Sequence, residues 1–353
     1  MNFLRQVVGI DVAKNELVCT FGVITSNFNI ELKGSASFKN CMSGFDKLNK
    51  WASKLLLENS DLYFVMEATG VYHQQIAYWL HKRSFKVVIV LPNKISNFAK
   101  TLDIKTVTDK TASEAITRFG LSRAMDSWQP PLEIYRNIKQ LTREREQIVA
   151  ERTVIKNQIH AEKAEAFPNN KTLDRLNERI KLLNKQEEQV KKEVEDLVAN
   201  NEEVKKSVER MITIPGIGRL TAVVVLAETN GFEMIRNKKQ LSSYAGFDIK
   251  EKTSGTSVKG KPKISKKGNR YVRKAMHFPS LSAIKHCPAH KETYHRLLGR
   301  HGIKMKALVC IQRKLLELMY ILFKTKSTFD ADYEEKRKAL PQIATEPSNL
   351  AYS

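Results

Sequence analysis

Three carboxylates stand where a chain could hold a divalent cation. Asp11 lies in VVGIDVAKNEL, directly after an apolar run and a glycine. Glu67 closes the apolar run of YFVMEATG, with Gly70 permitting the turn, and Asp109 opens TVTDKTASEAITRFG, whose apolar residues fall at helical spacing. A carboxylate at a strand end can project from the sheet while its neighbours, here Ile10 and Val12, point into the core. Two strand-end carboxylates and one at a helix start can converge on a hard cation. Magnesium prefers such all-oxygen coordination, keeps some of its waters, and polarises a phosphodiester while activating a nucleophile. Each residue taken singly also reads as an ordinary turn or cap residue, and Asp109 could simply cap its helix. The combination points to a metal-dependent nuclease.

A second chemistry is suggested nearer the C-terminus. Eight of the sixteen residues 259–274 are basic, namely Lys259, Lys261, Lys263, Lys266, Lys267, Arg270, Arg273 and Lys274, and they are interleaved with Gly and Pro. Such a stretch suits a phosphate backbone, and its binding should weaken steeply with salt. Just upstream stand Ser254, Gly255 and Ser257. A serine beside glycine in electropositive surroundings can attack phosphorus, because nearby cations stabilise the growing negative charge, although most serines in such loops only hydrogen-bond. Further upstream, Pro215-Gly216-Ile217-Gly218 precedes the apolar LTAVVVLAE. This resembles a helix-hairpin-helix element, in which Gly216 and Gly218 would let the backbone approach DNA and the helix N-terminus would meet a phosphate. The competing reading is a tight turn between packed helices. His286, Cys287, His290 and His295 cluster in sequence but lack the paired spacing of a structural zinc site.

The elements that must position these groups follow from periodicity. QVVGIDV, LVCTFGVI, LYFVMEA and KVVIVLP are short and rich in β-branched residues, as buried strands are; VYHQQIAYWLHKR is long enough for a helical crossover. This is α/β grammar with a mixed or partly parallel sheet over residues 1–130. From Ile134 a 4-3 spacing runs through Ile138, Leu141, Ile148, Ile155 and Ile159, with Arg145 and Arg152 in the seam, until Phe167-Pro168-Asn169-Asn170 stops it. A second run from Leu173 to Met211 is interrupted only by Glu187 and Asn201. Residues 131–210 are therefore expected to form a coiled coil or a long helical hairpin, within one chain or between two. Residues 211–326 are expected to be a mainly helical basic domain closed by an amphipathic helix over 303–323, with a charged tail at 327–353.

Composition narrows the partners. The 353 residues carry 60 Lys plus Arg against 38 Asp plus Glu, a formal net charge of +22. A charge of that size most often meets a polyanion, with nucleic acid ahead of an acidic membrane. The 4 cysteines show no paired spacing, which fits a reducing, cytoplasmic setting. The N-terminal residues reach a charge before a signal-like apolar run develops, and no stretch is long and apolar enough to span a bilayer, so no membrane partner is expected.

Taken together, VGIDVAK, VMEATGVYHQQIAYWL, KVVIVLPNKISNFAK, TDKTASEAITRFG, IPGIGRLTAVVVLAE, QLSSYAGFD, SGTSVKG and ISKKGNRYVRKAM resemble the DEDD transposases of bacterial insertion sequences, the insertion sequence 110 class, which includes related site-specific DNA invertases. The resemblance covers approximately residues 7–320. It implies a RuvC-like N-terminal fold of the ribonuclease H class, metal carboxylates at Asp11, Glu67 and Asp109, and a catalytic serine at Ser254. It also implies Mg2+ (with Mn2+ as an alternative), element and target DNA, a structured guide RNA, and a homo-oligomer, dimer or tetramer, whose two catalytic regions come from different subunits.

One position departs from the family pattern. A second aspartate is expected three residues after Asp109, and Ala112 stands there. Glu114 is the further candidate ligand, although five residues from Asp109 place it roughly 140° away around an ideal helix; Ser113 lies on Asp109's face but is a poor ligand. Either three carboxylates and waters suffice, or Glu114 joins them, or the protein is a degenerate copy. Two other functions stay open at this point: a junction nuclease that cuts without rejoining, and a non-catalytic nucleic-acid-binding derivative.

Overall fold

The apolar run carrying Asp11 becomes the centre of a sheet. β1 (Phe3–Val12) pairs antiparallel with β2 (Glu16–Thr25), which pairs antiparallel with β3 (Ile30–Lys39). On its other side β1 pairs parallel with β4 (Leu62–Glu67), and β4 pairs parallel with β5 (Lys86–Val90). The five strands run in the order β3-β2-β1-β4-β5. Among the described residues four helices accompany the sheet: α1 (Met42–Leu55), α2 (Gln74–His81), α3 (Pro92–Ala99) and α4 (Asp109–Ser122). The structure, a computed structural model, describes residues 3–332 except 58, 59, 69, 103–105, 107, 234, 252, 255–257, 261 and 262. The chain divides into two units, Met1–Pro130 and Pro131–Ser353.

Both faces of the central strand are covered, which is why its sequence is a continuous apolar run rather than an alternating one. Val8, Ile10 and Val12 join Phe45 and Leu48 of α1, Met66 of β4, and Ile76 and Leu80 of α2 in one layer. Val7 joins Val65, Val88 and the α4 residues Ile116 and Leu121 in the other. Val7, Gly9 and Asp11 therefore share the α4 face of β1. Contact there is unusually close. A Cβ on Gly9 would lie 2.3 Å from the Thr117 Oγ1 and 2.7 Å from the Ser113 carbonyl oxygen. One on Gly120 would lie 2.9 Å from side-chain carbons of Val7 and Val65. The Thr117 hydroxyl donates to the Thr20 carbonyl at 2.9 Å, and the Ser113 and Thr20 hydroxyls meet at 2.7 Å.

In the second unit the two long periodic runs pair with each other. α5 (Glu133–Ala164) and α6 (Asn170–Ala199) form a helical hairpin packed through Ile148, Ile155, Leu183 and Val190. The interruption at Glu187 is a buried ion-pair site: Glu187 accepts from Arg145 at 2.7 Å and from Arg152. Burial alone would raise its pKa; the Arg152 hydrogen bond and the charges of Arg145, Arg152 and Lys191 outweigh that and hold the carboxyl below its usual range. Asn201 has a different meaning. It begins a new helix, α7 (Glu202–Ile212), by accepting from the Val204 N–H at 3.0 Å.

The remainder is mostly helical: α8 (Arg219–Thr229), α9 (Lys238–Ala245), α10 (Arg270–Ala275), α11 (His277–His286), α12 (Pro288–His301) and α13 (Lys304–Thr325). Between α9 and α10 the described residues include four two-residue strands: β6 (Ile249–Lys250), β7 (Thr253–Ser254), β8 (Val258–Lys259) and β9 (Lys263–Ile264). β6 pairs with β9 and β7 with β8, so one short ladder is nested in sequence within the other. The core here draws Val208 and Met211 from α7, Leu226 from α8, Leu241 from α9, Val272 from α10 and Leu315 from α13.

Because α4 can approach β1 only over glycine, Gly9→Ala should destabilise the protein by about 1–3 kcal/mol, the usual cost of overpacking. Urea unfolding of the two proteins measures this. An unchanged midpoint would mean that α4 does not lie against Gly9.

Candidate functional site

The strand register brings two of the carboxylates together. The last paired residues of β1 and β4 are Ile10 and Met66, so Asp11 and Glu67 each follow that pair at the same ends of adjacent parallel strands. In-register neighbours on parallel strands point to the same side. That side is the α4 side, since Gly9 and Val65 both face it. Asp11 and Glu67 are both half-buried.

α4 carries the third. Its Ser113 and Thr117 sit over Gly9 and its Gly120 over Val7, so the helix runs antiparallel to β1 and its first residue, Asp109, lies towards the Asp11 end. The capping role that Asp109 could have filled belongs to Thr108, whose Oγ1 accepts from the Thr111 N–H at 3.2 Å while the Thr111 hydroxyl accepts from the Thr108 N–H at 2.8 Å. Asp109 is exposed at the first turn, and Ala112 and Glu114 are partly buried further along the same helix. Ser113 is fully buried and bonded to Thr20 and to the Lys110 carbonyl, so its hydroxyl is already used in packing α4.

Asp11 feels its neighbours. Its carboxyl is raised above the ordinary 3.8, first by burial, then by the negative charges of Asp109 and Glu67, against a lowering hydrogen bond from the Val12 backbone. Glu114 is not among the groups that raise it. Among the described residues no three His, Cys, Asp or Glu side chains close into a group that could hold a metal ion. Asp11, Glu67 and Asp109 thus share an electrostatic neighbourhood without forming a ligand cage. As a donor set they fit a hard divalent cation: all-oxygen, anionic, and mutually repulsive without a positive charge among them. Asn40, which sequence reasoning missed, joins the two strand-end loops; its Nδ2 donates to the carbonyls of Ala13 at 2.9 Å and Tyr72 at 3.2 Å.

The other predicted residues lie in the second unit. Ser254 ends β7, paired with Val258 of β8, and the residues between them fall outside the described set. Lys259 ends β8; Lys261 is outside the described residues. Lys263, Lys266, Lys267 and Arg270 are exposed. Arg273 is partly committed elsewhere, donating to the Ala245 carbonyl at 2.7 Å, and exposed Lys274 forms an ion pair with Glu146. The two glycines of the turn differ. Gly216 has φ +92°, and a Cβ there would lie 2.6 Å from the Pro279 carbonyl oxygen, so its backbone packs on α11. Gly218 faces open space and precedes the first turn of α8. His286, Cys287, His290 and His295 span the end of α11 and most of α12, with His290 buried.

Two family matches cover most of both units. Residues 8–168 match the DEDD transposase family of IS110, described as "Transposase", and residues 208–295 match the "Transposase IS116/IS110/IS902 family". The chain belongs to the IS110-type DEDD transposases and recombinases. Similar proteins include the "Pilin gene-inverting protein" of Moraxella lacunata, 28% identical over 332 residues that make up 94% of this chain and 99% of the relative. Its namesake from Moraxella bovis is 27% identical over the same shares. The "uncharacterized 43.6 kDa protein" of insertion element IS110 from Streptomyces coelicolor is 28% identical over 134 residues, 38% of this chain and 32% of the relative. The chain is thus a DNA transposase or recombinase, an enzyme acting on DNA. Among the described residues no helix is long and apolar enough to cross a membrane.

In this transposase the basic helix α10 is held by a buried acid that the sequence pattern did not single out. Glu228 of α8 takes a two-point contact from Arg143 of α5, at 2.7 and 3.0 Å, with the Lys139 ammonium 3.7 Å away. Asn269, the N-cap of α10, donates to the same carboxylate at 2.7 Å. Tyr244 of α9 donates its hydroxyl to the Glu228 backbone carbonyl. Burial pushes the Glu228 carboxyl up, but hydrogen bonds from Arg143 and Asn269 and the charges of Lys139 and Arg143 outweigh it and hold the pKa below 4.5. Arg143 also stacks over the Tyr271 ring at 4.5 Å. The only sequence signal for this site was an acid inside the apolar run LTAVVVLAE.

Two consequences can be measured. Asp11's raised pKa means its ionisation opposes folding: the penalty is absent below 3.8, grows as pH rises towards the folded-state value, and is complete above it. Asp11→Asn should therefore raise the Tm of metal-free protein at neutral pH, with no gain near pH 3, roughly below the unfolded carboxylate range. Added Mg2+ should raise the parent's Tm more than the variant's; an equal rise in both would place the cation elsewhere. Glu228 has the opposite sign, contributing stability above 4.5 that is lost as pH falls through its lower folded value. Glu228→Gln should cost about 3 kcal/mol at neutral pH, the low end for a broken buried pair because Arg143 is partly exposed. In urea titrations that gap should narrow in acid, and a gap constant with pH would show that charge is not what Glu228 contributes.

Proposed function

We propose that this transposase cuts and rejoins DNA with a divalent cation held by Asp11, Glu67 and Asp109 and with Ser254 as the nucleophile. The observation that carries the metal half is the set of three carboxylates on one side of the sheet, two at adjacent parallel strand ends and one on α4; Asp11 is raised first by burial and then by the charges of Asp109 and Glu67. The strand order β3-β2-β1-β4-β5 supports a ribonuclease H-like, RuvC-like reading of the first unit. Magnesium suits the all-oxygen set, with Mn2+ as an alternative. When bound, the cation would polarise the scissile phosphodiester.

The serine half rests on the family resemblance of SGTSVKG and on the basic residues around it. Ser254 Oγ forms a bond to phosphorus as the bridging bond from phosphorus to one sugar oxygen breaks. The hydroxyl proton ends on the released sugar oxygen. An incoming sugar hydroxyl then reverses these steps, restoring the serine and joining a new pair of strands. The number of phosphoester bonds is conserved, so no external energy source is required. Lys263, Lys266, Lys267 and Arg270 hold the DNA backbone, with Lys259, Lys261, Arg273, Lys274 and the Gly216–Gly218 turn as further contacts. Cutting followed by rejoining is in keeping with relatives whose names describe inversion of a pilin gene. A structured guide RNA that chooses donor and target, and a homo-oligomer of two or four copies, complete the reading on the family resemblance alone.

Two other readings stand beside this one: a RuvC-like junction endonuclease, which would need the acidic site but not Ser254, and a non-catalytic nucleic-acid-binding derivative, the one that Ala112 favours. Denaturing electrophoresis of the protein with labelled element-junction DNA, its guide RNA and Mg2+ separates them. The proposal expects a covalent protein–DNA adduct that Ser254→Ala abolishes, and no reaction from Asp11→Ala despite substantial DNA binding. Glu114→Gln should leave the Mg2+ dependence unchanged if three carboxylates suffice. Free cleaved ends that persist in Ser254→Ala would select the nuclease, and recombination by Asp11→Ala would sink the metal assignment.

A further inference from the structure

α10 and α11 form one almost continuous helical run: Met276 between them is itself in the right-handed helical region, donates to the Val272 carbonyl at 3.1 Å and accepts from Ser280 at 3.3 Å. Arg270, Lys274, Phe278, Leu281 and Lys285 are all exposed along it. At 3.6 residues per turn these five positions fall within about 80° of arc, one stripe on the helix surface. The opposite side carries the buried Val272, Met276, Pro279 and Ala283. The stripe is therefore not the core-facing side, yet it presents a phenyl ring 76% exposed and a leucine 45% exposed.

The ring is braced. His277 packs edge-on against Phe278, with ring centres 5.4 Å apart, and His277 Nδ1 lies 3.4 Å from Gln312 Nε2 on α13. Residues 270–286 contain no Asp or Glu, and exposed Lys263, Lys266 and Lys267 precede them. The acid that meets the stripe from another element is Glu146 of α5, paired with Lys274. An aromatic ring flanked by cations matches the chemistry of unpaired nucleic acid, in which the bases stack on the ring and the phosphates meet the charges. A second copy of the chain fits poorly, because twofold pairing through this stripe would bring like charges against like.

We infer that the Arg270–Lys274–Phe278–Leu281–Lys285 stripe docks DNA at unpaired or readily unstacked bases, with Phe278 as the stacking platform. This deepens the reading of the chain as an enzyme that opens and exchanges DNA strands, but it requires neither Ser254 nor a metal. The surface holds opened DNA before any bond is broken.

The test uses the full chain in EDTA and fluorescence anisotropy with two DNAs, a duplex and the same duplex carrying a mismatched bubble with 2-aminopurine, and with RNA of the bubble sequence as a third probe. The parent should prefer the bubble. Phe278→Ala should lose about tenfold in bubble affinity and little on the duplex, the loss of one stacked base. Its salt dependence should match the parent's, since no phosphate contact is removed. Phe278→Trp should restore the preference and quench the 2-aminopurine, whereas Lys285→Gln should weaken both DNAs alike and flatten the salt slope. No bubble preference in the parent, an equal loss on both DNAs in Phe278→Ala, or a loss confined to RNA of the same sequence would overturn the inference. A change of oligomeric state in Phe278→Ala, read by sedimentation, would assign the stripe to a contact between copies instead. Because binding is measured without Mg2+, a bubble preference that persists when no covalent adduct forms, or that is missing when the adduct does form, separates failure of the strand-joining reading from failure of this one.

Discussion

The close approach of α4 to β1 sets the geometry of the carboxylate site. Two acids at the ends of adjacent parallel strands follow directly from strand register, but the third must come from outside the sheet. Gly9 and Gly120 let the helix and the strand meet with almost no side chain between them, and Ser113, Thr117 and Thr20 fix the helix's rotation through hydroxyl contacts. Sliding α4 by one residue would move each position about 1.5 Å along the axis and 100° around it. That would separate those hydroxyls and carry Asp109 away from the face that bears Asp11 and Glu67. The polar core of this interface and the acidic site are consecutive turns of one packing arrangement.

The second unit solves a different problem. A chain with a formal charge of +22 repels itself, and two buried acids relieve that where helices must meet. Glu187 neutralises two arginines along the α5–α6 seam, and Glu228 gathers Arg143, Lys139 and Asn269 from α5 and from the start of α10. Removing either acid would leave partly buried cations uncompensated, so these pairs fix register more than they add net stability. The Glu228 contact also holds the start of α10, the helix that carries Arg270 and Lys274.

What could be read from the sequence was local. Strands β1, β4 and β5 are short β-branched runs, and α5 and α6 keep a heptad rhythm, so their existence and the placement of Asp11 and Glu67 at strand ends follow from periodicity. The meaning of polar residues within those rhythms did not, because it depends on partners far along the chain. Asn201 reads as a flaw in a heptad, yet it caps α7. Gly216 reads as a turn glycine, and what a side chain there would meet is the Pro279 carbonyl, more than sixty residues away by numbering. Asp109 reads as a possible cap, and the neighbouring Thr108 fills that role. Asn40 and Glu228 carried no motif, since a residue that ties separate loops or helices is recognisable only once those elements are in place.

Ala112 bears on the same packing logic. On a regular α4, position 112 lies on Asp109's side of the helix, whereas Glu114 is rotated well away, and Ser113 is consumed by its bond to Thr20. An aspartate at 112 would add a fourth negative charge to a group in which two neighbours already oppose the ionisation of Asp11. Alanine lowers that repulsion and with it the electrostatic demand for a cation. On the proposed metal reading, a hard cation that keeps several of its waters would need fewer protein ligands, so alanine at 112 would lessen repulsion among the carboxylates at some cost in affinity. The fixed rotation of α4 is what denies Glu114 an easy route to the missing position.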